Sequence, residues 1–263
     1  MKSNFLYLFL LFGILQSCDD GKQYVRPEEM KKVFLDKAEI QREAAIDWSY
    51  ETQDNWNNVK EWDCNGELQS PITIPKEDKM SFSGFNNILS LYPALYQYVE
   101  SSPSLIFKVM GDNFLERNDT TYKFSNLRIL SKAEHIFPGD SHIAELVFHL
   151  WNLENASLTF VSVMIKIGAD SNSAFQLLLN NAEKNDKRSY EINTKDLFPI
   201  QLDCYSYVGS ASTPPCTENA MRLVMKYPIY ISEIQFEQLK KIAPEGARSL
   251  QKADKIIVQR DFN

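Results

Sequence analysis

The chain has 263 residues, 44% of them hydrophobic and 12% aromatic, and a formal net charge of −7 at pH 7. That is apolar material for one sizeable core, and the 16 Phe, 12 Tyr and 4 Trp favour a β-rich globular body over a disordered chain. The acidic balance and the lack of a basic block exclude nucleic acid as a partner, because phosphate contact needs clustered Lys or Arg.

The first element in chain order is a targeting segment, residues 1–17. Lys2 gives it a positive start, and Phe5 to Leu15 is an apolar run too short to span a bilayer comfortably. Leu15-Gln16-Ser17-Cys18 resembles a bacterial lipoprotein cleavage site, so Cys18 is expected to carry a lipid that ties the protein to a membrane. The alternative is cleavage near Ser17 and free secretion. Either route gives an exported protein: a periplasmic or cell-surface lipoprotein by the first, a secreted protein by the second. Residues 18–26 read as a tether, and residues 27–46 as a helix. Pro27 suits a first helical turn, Glu28 and Glu29 complement the helix dipole, and Met30, Val33, Phe34 and Ala38 recur at helical spacing. This helix is read as a spacer or packing element, against the alternative of a partner-binding helix.

Residues 47–263 read as one domain. Strands are predicted at Ile72 to Ile74, Leu105 to Val109, Tyr122 to Leu130, Ile143 to Trp151, Leu158 to Ile167 and Met221 to Met225. Helices are predicted at Ser173 to Lys184 and Ser232 to Ile242, the second opening on Ser232 with Gln235 at capping-box spacing. Beyond Cys18 the cysteines are Cys64, Cys204 and Cys216. An oxidising compartment permits one pair and leaves one thiol over, and spacing alone does not say which two pair.

Several motifs, in order, resemble those of the α-class carbonic anhydrases. They are Trp48-Ser49-Tyr50, Trp56, Gln69-Ser70-Pro71-Ile72, Glu134-His135, Ala144-Glu145-Leu146 with Trp151-Asn152, Leu158 to Gly168, Tyr207, and Gly209 to Glu218 around Thr213-Pro214-Pro215-Cys216. The resemblance covers about Trp48 to Val258. It implies a mainly β (α+β) fold, a twisted, mostly antiparallel central sheet of about ten strands with short peripheral helices and a conical cleft. It also implies a Cys64–Cys216 disulfide, with Cys204 left as a buried free thiol.

The family's chemistry rests on a zinc ion held by three imidazoles, two of them alternate residues of one strand and the third on its neighbour. Aligned on the surviving flanks, those positions fall on Arg128, Leu130 and Val147. Arginine offers only donors, and Leu and Val offer no lone pair, so no zinc or other cofactor is expected. The three histidines, His135, His142 and His149, do not converge by parity: His142 and His149 are an odd number apart and face opposite sides of a strand. His149 should face the cleft, either as a neutral, hydrogen-bonded pocket residue or as a weak contact to a metal or ligand.

Glu145 is the residue the family uses to orient a zinc-bound imidazole. With none at Val147, Arg128 is expected to pair with it, Glu134 also being in reach; the alternative is that Arg128 extends to solvent. Ser212 and Glu134 match a family hydroxyl–carboxylate pair, and Glu134, Ser212 and Thr213 are the residual catalytic positions. Ala211, Phe160, Arg222 and His149 replace residues of the family's apolar substrate pocket, and Ser104 to Ile106, which matches the proton-shuttle region, has no histidine. Two functions stay open. One is a monomeric, non-catalytic binding or scaffold module for a small molecule or protein. The other is an enzyme: a carbonate dehydratase through an unorthodox site, with zinc, or another lyase or hydrolase using Glu134, Glu145, His149 and Ser212.

Overall fold

The computed structural model describes residues 48–84, 87–100, 104–243 and 246–262. The targeting segment, Cys18, the tether and the 27–46 helix lie outside the described residues. The strands are β1 (Ser81–Phe82), β2 (Asn87–Ser90), β3 (Pro93–Glu100), β4 (Leu105–Met110), β5 (Phe114–Arg117), β6 (Thr120–Leu130), β7 (Ala144–Asn152), β8 (Leu158–Ile167), β9 (Ser189–Asn193), β10 (Cys204–Ser210), β11 (Glu218–Met225), β12 (Ile229–Ile231) and β13 (Gln259–Arg260). The α-helices are α1 (Ser173–Glu183) and α2 (Glu233–Ile242), with 3-10 turns at Tyr50–Asn58, Glu77–Lys79 and Thr194–Leu197.

One twisted sheet runs β1-β13-β10-β11-β8-β7-β6-β4-β3-β9, with β12 beside β8, and β5 joining β2 to β6. Pairing is mostly antiparallel; the exceptions are β1 with β13, and β11 and β12 with β8. The two pairs on β8 follow from the crossover through α1, β9 and β10, which brings the chain back to β8 in the direction it left.

Period-two alternation separates the two faces of the central strands. Leu127 and Ile129 of β6, Leu146, Phe148 and Leu150 of β7, Val161, Val163 and Ile165 of β8, and Leu223 and Met225 of β11 enter the main core. Ala174, Phe175, Leu178, Leu179 and Ala182 of α1 pack into that core, so this face is closed. The intervening residues point to the other face, the one to which the resemblance assigns the cleft.

The predicted elements at Leu105, Tyr122, Ile143, Leu158, Ser173 and Ser232 all form, with ends moved by a few residues. Ile72 to Ile74 does not become a strand. Both isoleucines are buried, but only Thr73 forms a bridge, to Ile136. Pro71 and Pro75 bracket the run and remove the N–H groups a longer ladder needs. Cys64 and Cys216 form a disulfide, packed with Tyr50, Trp56 and Trp62, and Cys204 is a buried free thiol.

Candidate functional site

The cleft face is built from three rows across neighbouring strands. The first is Asn126, His149, Phe160 and Arg222; the second Arg128, Val147, Ser162 and Val224; the third Leu130, Glu145 and Met164. Arg128 and Leu130 therefore stand side by side on β6, facing Val147 and Glu145 of β7. Leu130, Val147, Phe160 and Ala220 form a small buried apolar cluster, with Leu158 and Ala211 against it.

Arg128 does not pair directly with Glu145. Its Nε donates to Ser104 Oγ at 3.1 Å and its Nη2 to Tyr50 Oη at 2.7 Å. Tyr50 Oη in turn donates to Glu134 Oε1 at 3.4 Å, so one phenol couples cation and carboxylate. Burial works against the Arg128 charge, but Tyr50, Glu134 and Glu145 outweigh it and its pKa is raised. Arg128 is buried, and so does not extend to solvent.

Glu145 has a different partner. Its Oε2 accepts the backbone N–H groups of Glu134, at 2.9 Å, and His135, at 3.0 Å. Its Oε1 lies 2.8 Å from His135 Nδ1, and His135 Nε2 lies 2.7 Å from Tyr207 Oη. Tyr207 Oη donates to Ser70 Oγ at 3.0 Å. Burial opposes the charge on His135, but Tyr207 and Glu145 outweigh it and lift its pKa to about 9. Burial likewise opposes the Glu145 charge, and His135 outweighs it, holding the carboxyl at about 2. The charged ring donates from both nitrogens, which lets the Tyr207 hydroxyl accept from it and donate onward.

Ser212 and Glu134 are both buried, but no hydrogen bond joins them among the described residues. Glu134 Oε1 accepts instead from the Arg248 backbone N–H at 3.1 Å and from Tyr50. Thr213 accepts the Cys216 N–H through its carbonyl, at 2.8 Å, in the turn before β11. His149 is neutral: burial first, then the charges of Arg128 and Arg222, push its pKa well down. The expected hydrogen bond is not formed at its Nε2, which is buried without a partner. Its ring meets Phe160 edge to face, with centroids 4.8 Å apart.

The floor formed by Arg128, Leu130 and Val147 does not fit a zinc ion. A guanidinium presents N–H groups, two hydrocarbons present nothing, and the carboxylate opposite Leu130, Glu145, is occupied by three donors. Among the described residues no group of three His, Cys, Asp or Glu could hold a metal ion. Sequence reasoning missed Tyr50, Ser104 and Arg248 as members of the site. Tyr50 was visible only as the last residue of a Trp-Ser-Tyr motif, and its reach to β6 depends on the fold.

Residues 51–255 match the family model described as eukaryotic-type carbonic anhydrase. The chain is 31% identical to carbonic anhydrase 3 of Sus scrofa over 235 residues, covering 75% of this chain and 87% of that protein. It is 28% identical to alpha carbonic anhydrase 2 of Arabidopsis thaliana over 204 residues, covering 72% and 82%. It is 25% identical to Dioscorin DB3L of Dioscorea polystachya over 262 residues, covering 94% and 89%. Its fold matches the α-carbonic anhydrase of Thermovibrio ammonificans with a TM-score of 0.72 at 24% identity, covering 81% of this chain and 98% of that one. The chain belongs to the eukaryotic-type carbonic anhydrase family.

Proposed function

We propose that this is an exported member of the family whose cleft has given up zinc chemistry and works as a binding module. Arg128, Leu130 and Val147 stand in the family's three ligand positions. The observation that carries the reading is the donor set at the cleft floor: a buried guanidinium hydrogen-bonded to Tyr50 and Ser104, beside two buried hydrocarbons. With no lone pair directed at a metal, water is not activated to hydroxide there. The neighbouring groups are also engaged: Glu145 by His135, and Oε1 of Glu134 by Tyr50 and Arg248. The Cys64–Cys216 disulfide supports export, since such bonds persist in oxidising compartments. Lipid attachment at Cys18 is the proposed mode of retention.

The names of the relatives favour a second reading, a carbonate dehydratase with an unorthodox site. Metal content and CO2 hydration separate the two. Purified protein should contain zinc well below one equivalent and show no hydration with added zinc; stoichiometric zinc with sulfonamide-sensitive hydration would overturn the proposal. The combined Arg128→His, Leu130→His and Val147→His variant should gain zinc binding, read by metal analysis. No gain would mean that these are not the ligand positions.

A further inference from the structure

The buried charges behind the cleft do not balance. Arg128, Arg222 and Arg248 are all buried, and Glu134 and Glu145 are the buried carboxylates around them. Three cations against two anions leave one positive charge over, and the protonated ring of His135 adds another. Arg117 lies apart and is paired with Asp261.

The surplus falls on Arg222. Arg248 donates to Gln69 Oε1 at 2.8 Å, to the Ser70 carbonyl at 2.9 Å and to the Cys64 carbonyl at 3.1 Å. Arg128 has Tyr50 and Ser104. Arg222 is 0% exposed, and its Nε, Nη1 and Nη2 have no hydrogen-bond partner among the described residues. Its contact is the Phe160 ring, 4.5 Å from the guanidinium carbon. A cation–π contact returns far less than a guanidinium loses by leaving water unpaired.

A second orphan meets the same ring. His149 Nε2 is buried and unpartnered, and its imidazole packs on Phe160 from the other side of β8. His149 keeps partial exposure, whereas Arg222 has none. An idle guanidinium fork and an idle ring nitrogen thus flank one aromatic side chain.

We propose that Arg222 and His149, with the Arg128 charge on the same face, form a binding site for a small planar oxyanion of single charge. The guanidinium fork donates two parallel hydrogen bonds to it, the geometry that suits a carboxylate-like group. His149 Nε2–H donates a third, and the bound charge cancels the surplus cation. The ligand enters past His149, with the Phe160 ring turning aside. This inference rests on the binding-module reading and names the ligand class for that cleft.

Thermal unfolding of the purified, disulfide-bonded protein tests it, in formate, bicarbonate or nitrate against chloride at equal ionic strength. The Tm should rise with oxyanion concentration and stay flat in chloride, because a ligand that binds only the folded state stabilises it by mass action. Formate against bicarbonate distinguishes an organic carboxylate from the inorganic anion. Arg222→Met should weaken the effect by about tenfold or more, the value of a hydrogen bond to a charged group, and should raise the Tm in chloride. His149→Phe should weaken it by a smaller factor. A wild-type Tm identical in all four salts would overturn the site, as would an undiminished shift in Arg222→Met. If Arg222→Met does not fold, titration calorimetry of wild type and His149→Phe with formate decides: no heat in wild type, or equal affinity in both, overturns it. Zinc content of the same samples keeps the two ideas apart. Zinc-free protein without an oxyanion response ends this inference alone. Stoichiometric zinc, with a response lost on chelation, ends the binding-module reading.

Discussion

Between Arg128 and Glu134 stands one hydroxyl. Tyr50→Phe keeps the ring in its aromatic cluster with Trp48 and Trp56 and removes only that bridge. It should cost about 1–3 kcal/mol in urea unfolding, because a buried guanidinium loses an acceptor and a carboxylate loses a donor. Gly246 serves the same contact: a Cβ there would overlap the Tyr50 ring. The histidines set the pH response. The raised His135 pKa gives stability fully present below its ordinary 6.5 and lost as pH rises through about 9. The depressed Glu145 pKa gives stability present above its ordinary 4.5 and lost as pH falls through about 2. His149, held neutral, makes stability fall as pH drops below 6.5, where the unfolded chain takes up its proton. Unfolding free energy against pH should therefore decline from pH 6.5 to 9 in wild type, and His135→Gln should flatten that limb. An unchanged limb would mean that His135 is neutral in the fold. The residues of the cleft face were legible in the sequence, because alternation assigns faces without coordinates. Their partners were not. That Glu145 takes His135 rather than Arg128 depends on how the loop between β6 and β7 folds back, presenting two backbone N–H groups to the carboxylate.

At the scale of elements, α2 illustrates what local chemistry can announce. Its capping box of Ser232 and Gln235 forms as the spacing predicts. Gln235 does more than cap. Its Oε1 accepts from the Asn172 N–H at 2.9 Å and the Ser232 N–H at 3.1 Å, and its Nε2 donates to the Asn172 carbonyl at 2.7 Å. Asn172 is itself the N-cap of α1, so one buried side chain ties the starts of both helices together. Ser232→Ala should cost about 1 kcal/mol, the usual worth of a cap. Gln235→Ala should cost about twice as much or more, since three backbone groups lose their partner. Equal losses in thermal unfolding would mean that the link to α1 contributes nothing. No sequence pattern revealed that link, because it joins residues 63 positions apart. The edge and short strands were hidden for a related reason. β9 has a single buried residue and β13 has two residues, so neither carries a long period-two signal, while in β3 the outward-facing Leu95 and Val99 are themselves hydrophobic and mask its alternation.

For the molecule as a whole, the order of the motifs disclosed the fold, and one covalent link fixes how its ends meet. The Cys64–Cys216 bond joins residues 152 apart and closes most of the domain into a loop. Polar contacts run beside it. The Asp63 N–H donates to the Pro215 carbonyl at 2.8 Å, and Gln69 Nε2 donates to Glu218 Oε1 at 2.8 Å. Arg248 adds bonds to the Cys64 and Ser70 carbonyls. The bond and these contacts hold the aromatic segment that carries Tyr50 against the turn before β11, and so over the cleft. The question is which of the two dominates. Closing a loop this long restricts the unfolded chain, a contribution of about 2–5 kcal/mol, whereas each neutral hydrogen bond nets about 1 kcal/mol. The disulfide should therefore dominate global stability. The Cys64→Ala, Cys216→Ala double variant should lose about 2–5 kcal/mol in urea unfolding with its folded state kept by the polar contacts. Reductant should bring wild type to the variant's midpoint and leave the variant unmoved, because Cys204, the free cysteine among the described residues, is not in the link. A loss below about 1 kcal/mol would reverse the ranking and make the Gln69 and Arg248 contacts the main tie between the cleft and the aromatic segment above it.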